Sequence, residues 1–186
     1  MTERSRFERL ALVHMDAAYR LAFWIVRSGP DAEDVVQESF LRAYKHFDSF
    51  KGDDVRPWLL AIVRNVAYLR LAHRRRASNV VSLEDAFPQR KGSDSVEIGI
   101  AADEPDAEAL LIAKGDSCML HAALAELPEA FREILVLREL EGLSYREIAD
   151  IVGIPAGTVM SRLARAREQL RRLLLRSMAG GTADAL

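Results

Sequence analysis

Two arginine-rich blocks in this 186-residue chain have the residue types to bind nucleic-acid phosphate. Residues 56–76 contain six arginines and no acid, and residues 155–176 contain six arginines and one glutamate. Guanidinium groups pair with phosphate and can bind guanine in a bidentate geometry. The net charge is only −2, because residues 77–116 carry nine acids against three bases. One basic block can be an ordinary solvated helix face, but two such blocks favour two phosphate-facing surfaces joined by an acidic segment.

The second block has the spacing of a helix that can read duplex DNA. Apolar residues recur at helical spacing from Val159 to Leu170 and should face a core. The opposite side is polar and would enter the major groove, where base edges can be read. This polar stripe consists of Thr158, Ser161, Arg162 and Arg165. Arg167 is better placed for backbone phosphate, which positions a protein without reading sequence.

The residues before this stripe predict the partner helix and the turn that would position it. Ser144 and Glu147 form a capping-box pattern at a helix start. Gly153 can adopt the left-handed conformation that ends this helix, and Ala149 is small enough for a close helix crossing. The sequence therefore predicts a helix-turn-helix within 143–176, and a role in transcription.

A second set of functional side chains lies near the N-terminus. Asp34, Gln37 and Glu38 share one helix face, with Leu41 next along the stripe. This face suits a basic helical partner. The alternative is that acids here only favour the start of their helix, an explanation that fits Asp31 and Glu33 well and Glu38 less well. A metal site is a weaker alternative, since no histidine joins the cluster.

The elements that must position these residues are all predicted to be helices. One helix should span 3–27, and a second should run from the cap Ser28, with Asp31 completing a capping box, to about Phe47. After a loop at 48–56, Pro57 should begin a third helix that ends near Arg76. Trp58 heads the apolar stripe of this helix and is predicted to pack in the core rather than to stack on a base.

The sequence as a whole predicts an all-α protein of two small helical domains. The first spans 1–76, an acidic linker at 77–116 runs into the first helix of the next domain, and the second domain spans 117–178. Pro128 and Gly142 should separate the helices that precede the helix-turn-helix. The tail, 179–186, is predicted to be disordered.

Composition excludes several functional classes. The single cysteine, Cys118, rules out an internal disulfide, and we expect it to be a buried apolar residue. No signal-peptide core and no run of 18 apolar residues is present, so a cytoplasmic protein without membrane insertion is expected. Because no phosphate-binding glycine loop, nucleophile elbow or acid–base pair is evident, we expect no enzymatic activity, no cofactor and no metal.

Three segments resemble the extracytoplasmic-function (ECF) sigma factors of bacterial RNA polymerase, which belong to the sigma-70 superfamily. YRLAFWIVRSGPDAEDVVQESFLRAYKHFDSF resembles their second conserved region, and PWLLAIVRNVAYLRLAHRRR resembles its continuation. LPEAFREILVLRELEGLSYREIADIVGIPAGTVMSRLARAREQLRRLL resembles the fourth conserved region. The order and separation of these segments make the resemblance specific over nearly the whole chain except 80–116 and the tail.

The resemblance implies a promoter-specific initiation factor in which the two domains are sigma domains 2 and 4. Asp34, Gln37, Glu38 and Leu41 would bind the clamp helices of the largest core-polymerase subunit, and the second domain would meet the flap of the second subunit. The helix-turn-helix would read the −35 element. The first domain would hold melted bases of the −10 element through Arg42, Phe50, Lys51, Arg64, Asn65, Arg70 and Arg74. The resemblance also implies control by an anti-sigma factor.

The chain departs from the family pattern at three positions. Leu69 replaces a frequent aspartate, Met160 replaces a frequent arginine, and Ala164 stands where some members have an aromatic residue. The recognition helix should therefore read fewer bases directly, which leaves Ser161 and Arg165 as its principal contacts. Two other functions stay open at this point: a conventional helix-turn-helix regulator, and an enzyme built on the carboxylate cluster.

Overall fold

The computed structural model describes residues 3–80 and 107–181, with side chains for 4–76 and 117–178. Every regular element within these ranges is helical, as the sequence predicts. The N-terminal bundle consists of α1 (Glu3–Ala11), α2 (Met15–Val26), α3 (Gly29–Lys45) and α4 (Val55–Val80). The C-terminal bundle consists of α5 (Ala107–Glu126), α6 (Glu129–Leu135), α7 (Tyr145–Val152) and α8 (Ala156–Gly181).

The first predicted helix is interrupted, which the sequence analysis missed. A short 3-10 turn at Leu12–His14 separates α1 from α2. The side chains of Leu12 and Val13 are exposed there, so the apolar stripe does not continue into a core at this point. Arg27 then caps the C-terminus of α2 in a left-handed conformation (φ 55°) normally adopted by glycine.

Ser28 caps α3, as predicted, and its hydroxyl accepts a hydrogen bond from the Asp31 amide at 3.5 Å. Pro30 occupies the first turn of the helix, where a missing amide hydrogen has no cost. The Asp31 carboxylate binds Arg70 and Arg74 of α4, so the acid expected to complete a capping box joins α3 to α4.

α4 begins at Val55, two residues before the predicted start, and extends beyond the predicted end at Arg76. Its buried side packs against α2 and α3 through fully buried leucine and valine side chains. A smaller apolar cluster joins α1, α3 and the start of α4 around Phe7, Phe47 and Leu59. Trp58 packs against this cluster, as predicted, although its ring stays partly exposed.

The C-terminal bundle is organised by breaks at the predicted positions. Pro128 separates α5 from α6, and Gly142 (φ 65°) turns the chain after a π-helical turn at Val136–Leu140. The wide turn is visible in the hydrogen bond from the Glu141 amide to the Val136 carbonyl, at 3.0 Å. One extra residue per turn shifts the register of the following side chains. The π turn itself has no signature that the sequence analysis used.

The two bundles pack against each other through one continuous apolar core. α2 contacts α6, and α4 contacts α7. The shared core includes Leu21 and Leu60 from the first bundle with Ile134 and Ile148 from the second. At its edge, the Trp24 ring meets His121 edge-on, with ring centroids 5.3 Å apart. The sequence predicts the two bundles but not this contact between them.

Two predicted segments fall partly outside the described residues. Residues 81–106 of the acidic linker and residues 182–186 of the tail are not described. α4 continues four residues into the predicted linker, and α8 continues to Gly181, three residues into the predicted tail. The exposed position of Cys118 corrects the expectation of a buried cysteine, because this part of α5 turns the cysteine away from the bundle core.

Candidate nucleic-acid and polymerase interfaces

The helix-turn-helix is built by local signals that the structure confirms. The Ser144 amide donates to the Glu147 carboxylate at 2.7 Å, and the Glu147 amide donates to the Ser144 hydroxyl at 3.3 Å. Hydrogen bonding by Ser144 lowers the pKa of Glu147. Gly153 ends α7 in the left-handed conformation (φ 73°). Val159 is fully buried beneath the turn, so α8 is held against α7.

The predicted recognition stripe lies on the solvent side of α8. Ser161 and Arg165 are exposed, while Thr158 and Arg162 are half-buried. The Ser161 hydroxyl donates to the Thr158 carbonyl at 3.0 Å, and in this rotamer its oxygen remains available as an acceptor. Arg162 lies close enough to Glu133 to favour the ionised form of that carboxylate.

Arg167 differs from the rest of the recognition set because it already has a carboxylate partner. Its Nη2 donates to Glu139 Oε1 at 2.6 Å, and both side chains are about half exposed. Glu139 belongs to the same bundle, so this pair does not depend on the contact between the bundles. An exposed pair of this kind contributes little to stability and can exchange its carboxylate for a phosphate.

The acidic stripe of α3 faces solvent along its length. Asp34, Gln37 and Glu38 are all exposed, and the Leu41 side chain beside them is 58% exposed. Tyr44, which the sequence analysis did not select, extends this surface with 47% exposure and meets Phe7 edge-on at 5.3 Å. Exposed leucine and tyrosine beside carboxylates form a mixed surface of the kind that binds a protein partner.

Carboxylates of α3 bind three of the residues predicted to contact DNA. Arg42 donates to Glu38 at 2.5 Å within α3, one turn away. Arg70 donates to Asp34 at 2.6 Å and to Asp31 at 2.9 Å, and Arg74 donates to Asp31 at 2.8 Å. Burial opposes ionisation of Asp31, but hydrogen bonds from Arg70 and Ser28, together with the charges of Arg74 and Arg70, lower its pKa overall.

The remaining predicted single-strand residues form two separate sets. Phe50 is half-buried, with its ring 5.1 Å from Trp58 and stacked on Phe47 at 6.2 Å, while Lys51 beside it is exposed. Asn65 lies ten residues into α4, about 15 Å from the helix start. It is exposed and lines a shallow depression of about 420 Å³ with Tyr68 and Leu69.

Two buried glutamates of the C-terminal bundle form ion pairs across the bundle interface. The fully buried Glu141 carboxylate accepts hydrogen bonds from Arg20 Nε at 2.8 Å and from Arg56 Nη2 at 2.6 Å. The Glu133 carboxylate, 2% exposed, accepts from Arg64 Nε at 2.5 Å and from the Tyr68 hydroxyl at 3.1 Å. Burial raises the pKa of Glu133, although Arg64 opposes the shift.

Four residues of these pairs were not predicted from the sequence as functional: Glu133, Glu141, Arg20 and Arg56. Arg64 was predicted to contact DNA, and here it binds Glu133. The sequence does contain a signal for the two buried glutamates. Both glutamates lie in the apolar stretch FREILVLRELEGL, where a buried carboxylate requires a cationic partner. The identity of that partner depends on the approach of a distant helix.

Within the described residues, no three metal-ligating side chains come together, and no helix is both long and apolar enough to cross a membrane.

Comparison with known proteins assigns both halves of the chain to one family. A family model for sigma-70 region 2 matches residues 10–77, and a model for sigma-70 region 4 matches residues 119–170. The chain is 37% identical over 171 residues to the ECF RNA polymerase sigma-E factor of Escherichia coli K12, covering 90% of this chain and 86% of that relative. It is 33% identical over 165 residues to the ECF sigma factor SigE of Mycolicibacterium smegmatis, covering 89% of this chain but 60% of that longer relative.

Two solved structures are similar in fold over most of the chain. The sigma factor RpoE of Bartonella quintana, solved with the anti-sigma factor NepR, aligns with a TM-score of 0.67 and 28% identity, covering 91% of this chain and 96% of its own. CnrH, solved with the cytosolic domain of CnrY, aligns with a TM-score of 0.60 and 26% identity, covering 92% and 88%.

The fold and the helix-turn-helix define a two-part, helical transcription factor. The chain belongs to the ECF RNA polymerase sigma factors, as the resemblance in the sequence predicts. Proteins of this family are regulatory initiation factors rather than enzymes.

Proposed function

We propose that this protein binds core RNA polymerase in the cytoplasm and directs it to promoters with a −35 and a −10 element. The observation that carries the proposal is the presence, on one chain, of an exposed carboxylate stripe ending in Leu41 and an exposed recognition helix. The first surface can bind a basic helix, and the second can enter the major groove. Family membership supports this pairing of functions.

In this proposal, residues 1–76 act as sigma domain 2, and residues 117–178 act as sigma domain 4. Asp34, Gln37, Glu38 and Leu41 bind the clamp helices of the largest subunit. Arg165 and Ser161 read base edges of the −35 duplex, with Thr158, Arg162 and Arg167 beside them. Asn65 binds an unpaired base of the −10 element over the depression that it shares with Tyr68 and Leu69, and Phe50 and Lys51 contact the strand at the other end of α4.

The decisive experiment is transcription from genomic templates by the purified chain with core polymerase, followed by sequencing of the transcripts. We expect promoter-specific starts that core polymerase alone does not make. The variant Asp34→Ala/Gln37→Ala/Glu38→Ala should lose these starts, because it removes the polar contacts to polymerase. Glu33→Ala, an exposed acid of the same helix, is the matched control and should retain them. A chain that gives no specific start from any template would contradict the proposal.

A conventional helix-turn-helix regulator is the competing function, and a gel shift separates the two. A regulator would bind promoter duplex tightly by itself and would not need the carboxylate stripe. We expect a specific complex only when core polymerase is present. Tight, sequence-specific binding by the free chain that is unchanged in the triple alanine variant would favour the regulator.

We further propose that an anti-sigma factor controls this protein. The two structural relatives described above support this proposal, since one is bound to an anti-sigma factor and the other to the cytosolic domain of a partner. The test is to recover the partner that co-purifies with the tagged chain from its own host, and to add it to the transcription assay. Loss of specific transcripts is expected. A partner that binds without inhibiting would contradict this part of the proposal.

A further inference from the structure

We propose that Arg20, Arg56 and Arg64 form a binding face for DNA backbone phosphates, and that Glu133 and Glu141 cover this face by standing in for phosphates. The inference rests on the proposed function only in that promoter DNA is the ligand. Arg20 and Arg56 are new candidates for DNA contact. Arg64 was predicted from sequence, but not as part of a surface that the C-terminal bundle occupies.

The contacts themselves identify the ligand class of the arginine face. Glu141 receives two hydrogen bonds from Arg20, at 2.8 and 3.2 Å, and a third from Arg56 at 2.6 Å. A paired set of guanidinium hydrogen bonds to two oxygens is the geometry that arginine uses for both carboxylate and phosphate. The arginine face therefore already binds an oxyanion, the Glu141 carboxylate, through three hydrogen bonds to that one group.

The three arginines are spread as a strand-binding surface requires. Arg56 and Arg64 are eight residues apart on α4, which separates them by about 12 Å along the helix axis. Arg20 lies on α2 and shares the Glu141 carboxylate with Arg56. Two carboxylates at separate points on this surface thus occupy positions that two different phosphates of one strand could take.

The arginine face differs from the other arginines of the N-terminal bundle in which bundle supplies its carboxylate partners. Arg70 and Arg74 pair with acids of their own bundle, on α3. Every ion pair that the structure describes for Arg20, Arg56 and Arg64 is instead with the C-terminal bundle. If the bundles separate, Arg70 and Arg74 keep their partners, whereas the three face arginines lose theirs.

Exchange of carboxylate for phosphate also explains how the interface can open. Separation without DNA would expose the apolar core that the two bundles share and would break these ion pairs with no anion to replace the carboxylates. Separation with DNA returns the two glutamates to water while phosphates replace them, so the arginines keep an anion in both states. The C-terminal bundle and a DNA strand then compete for one surface, and free protein is held in the form that cannot use it.

The test measures DNA affinity of the full chain without polymerase. Fluorescence anisotropy with a single-stranded and a duplex promoter probe compares the unchanged chain with Glu133→Gln/Glu141→Gln, which keeps side-chain shape and removes both charges. We expect at least about tenfold tighter binding and a steeper dependence on salt, because three arginines become available to phosphate. Glu126→Gln/Asp150→Asn is the matched control, since both acids are exposed, lie in the same bundle and pair with no described residue. This control should gain far less.

Three further variants make the outcome specific. Adding Arg20→Gln/Arg56→Gln/Arg64→Gln to the double glutamine variant should abolish the gain. The single variants Glu133→Gln and Glu141→Gln should each show part of it, and they replace the double variant if that one does not fold. Affinity that is unchanged in every folded glutamine variant, or a gain that persists without the three arginines, would overturn the inference.

The result is separable from the test of the proposed function. If the unchanged chain directs specific transcription but the glutamine variants gain no affinity, only the arginine face is wrong. If the variants gain affinity through the three arginines but no specific transcription occurs, the face stands as a DNA-binding surface and the sigma activity is wrong.

Discussion

The two arginine-rich helices, α4 and α8, contain six arginines each and have very different surroundings. The side chains of Arg56, Arg64 and Arg70 on α4 are 28%, 21% and 39% exposed, and all three bind carboxylates. On α8, Arg165 is exposed, and Arg167 pairs with a surface glutamate. The same number of arginines therefore produces a surface partly covered by buried carboxylates on α4 and a largely accessible surface on α8. Arginine content predicts what a helix can bind, and tertiary contacts decide when it can do so.

The largest expected difference between the helices is in stability. Arg64→Ala leaves the buried Glu133 carboxylate with the Tyr68 hydroxyl as its one described hydrogen-bond donor, and we expect the free energy of unfolding to fall by about 3 kcal/mol. Arg165→Ala removes an exposed side chain from α8 and should change it by no more than about 0.5 kcal/mol. Urea unfolding of the full chain measures both. Equal effects would show that the two helices do not differ as described.

A double replacement distinguishes the contribution of the Arg64–Glu133 ion pair to stability from the contribution of side-chain packing at the same site. Arg64→Met/Glu133→Leu removes both charges together, so no buried carboxylate is left without a partner. We expect this variant to lie much closer to the unchanged chain than Arg64→Ala does. A double variant as unstable as Arg64→Ala would mean that packing around Arg64, and not its charge, is what α4 contributes.

The next largest effect concerns sequence discrimination by α8. Arg165→Ala should reduce the preference of holoenzyme for its −35 element over a mutated element by about 1–3 kcal/mol, because a base-edge contact is lost. Arg171→Ala, further along the same helix, should weaken binding to both elements alike and lower the salt slope by about 1. Competition gel shifts over a salt series distinguish the two. Equal loss on both elements for Arg165→Ala would assign it to phosphate.

The turn between α7 and α8 should lose stability even when a single methyl group is added to it. Gly153→Ala places a Cβ on a left-handed residue (φ 73°) and should cost about 1 kcal/mol. Gly157→Ala, inside the first turn of α8 with open space around it, should instead stabilise by about 0.5 kcal/mol. Thermal melting of the two variants gives opposite shifts in Tm. Shifts of the same sign would argue against a left-handed turn.

The smallest expected effect is the acid response of the α3–α4 pair. The pKa of Asp31 lies below its usual value because hydrogen bonds from Arg70 and Ser28, together with the charges of Arg74 and Arg70, outweigh burial. Its carboxylate therefore stabilises the fold above about pH 4, and this contribution is lost as the pH falls through the lowered pKa. Asp31→Asn should be less stable at pH 7, by about 1 kcal/mol or less, and should lose less stability between pH 5 and pH 3. If both chains lost the same free energy of unfolding between pH 5 and pH 3, this prediction would be wrong.

The features that sequence predicted best are those made by neighbouring residues. The capping box of Ser144 and Glu147, the left-handed Gly153 and the buried Val159 were all predicted from patterns a few residues long. The interruption at Leu12–His14 was missed because the apolar residues around it keep helical spacing while the backbone does not. The exposed Cys118 was missed because a helix of mostly apolar composition does not define which side is buried.

Sequence by itself determined that the chain is helical, that it has a helix-turn-helix, and which family it belongs to. These properties depend on backbone hydrogen bonds, caps and motifs that act over a few residues. Only the tertiary structure decided which arginines are covered, since Glu141 meets Arg56 across 85 residues and Arg20 across 121. The reason is physical: an ion pair needs two groups in contact, and burial sets its strength. Both arise only when the bundles pack together, so the accessible and covered basic helices could not be told apart before the fold was known.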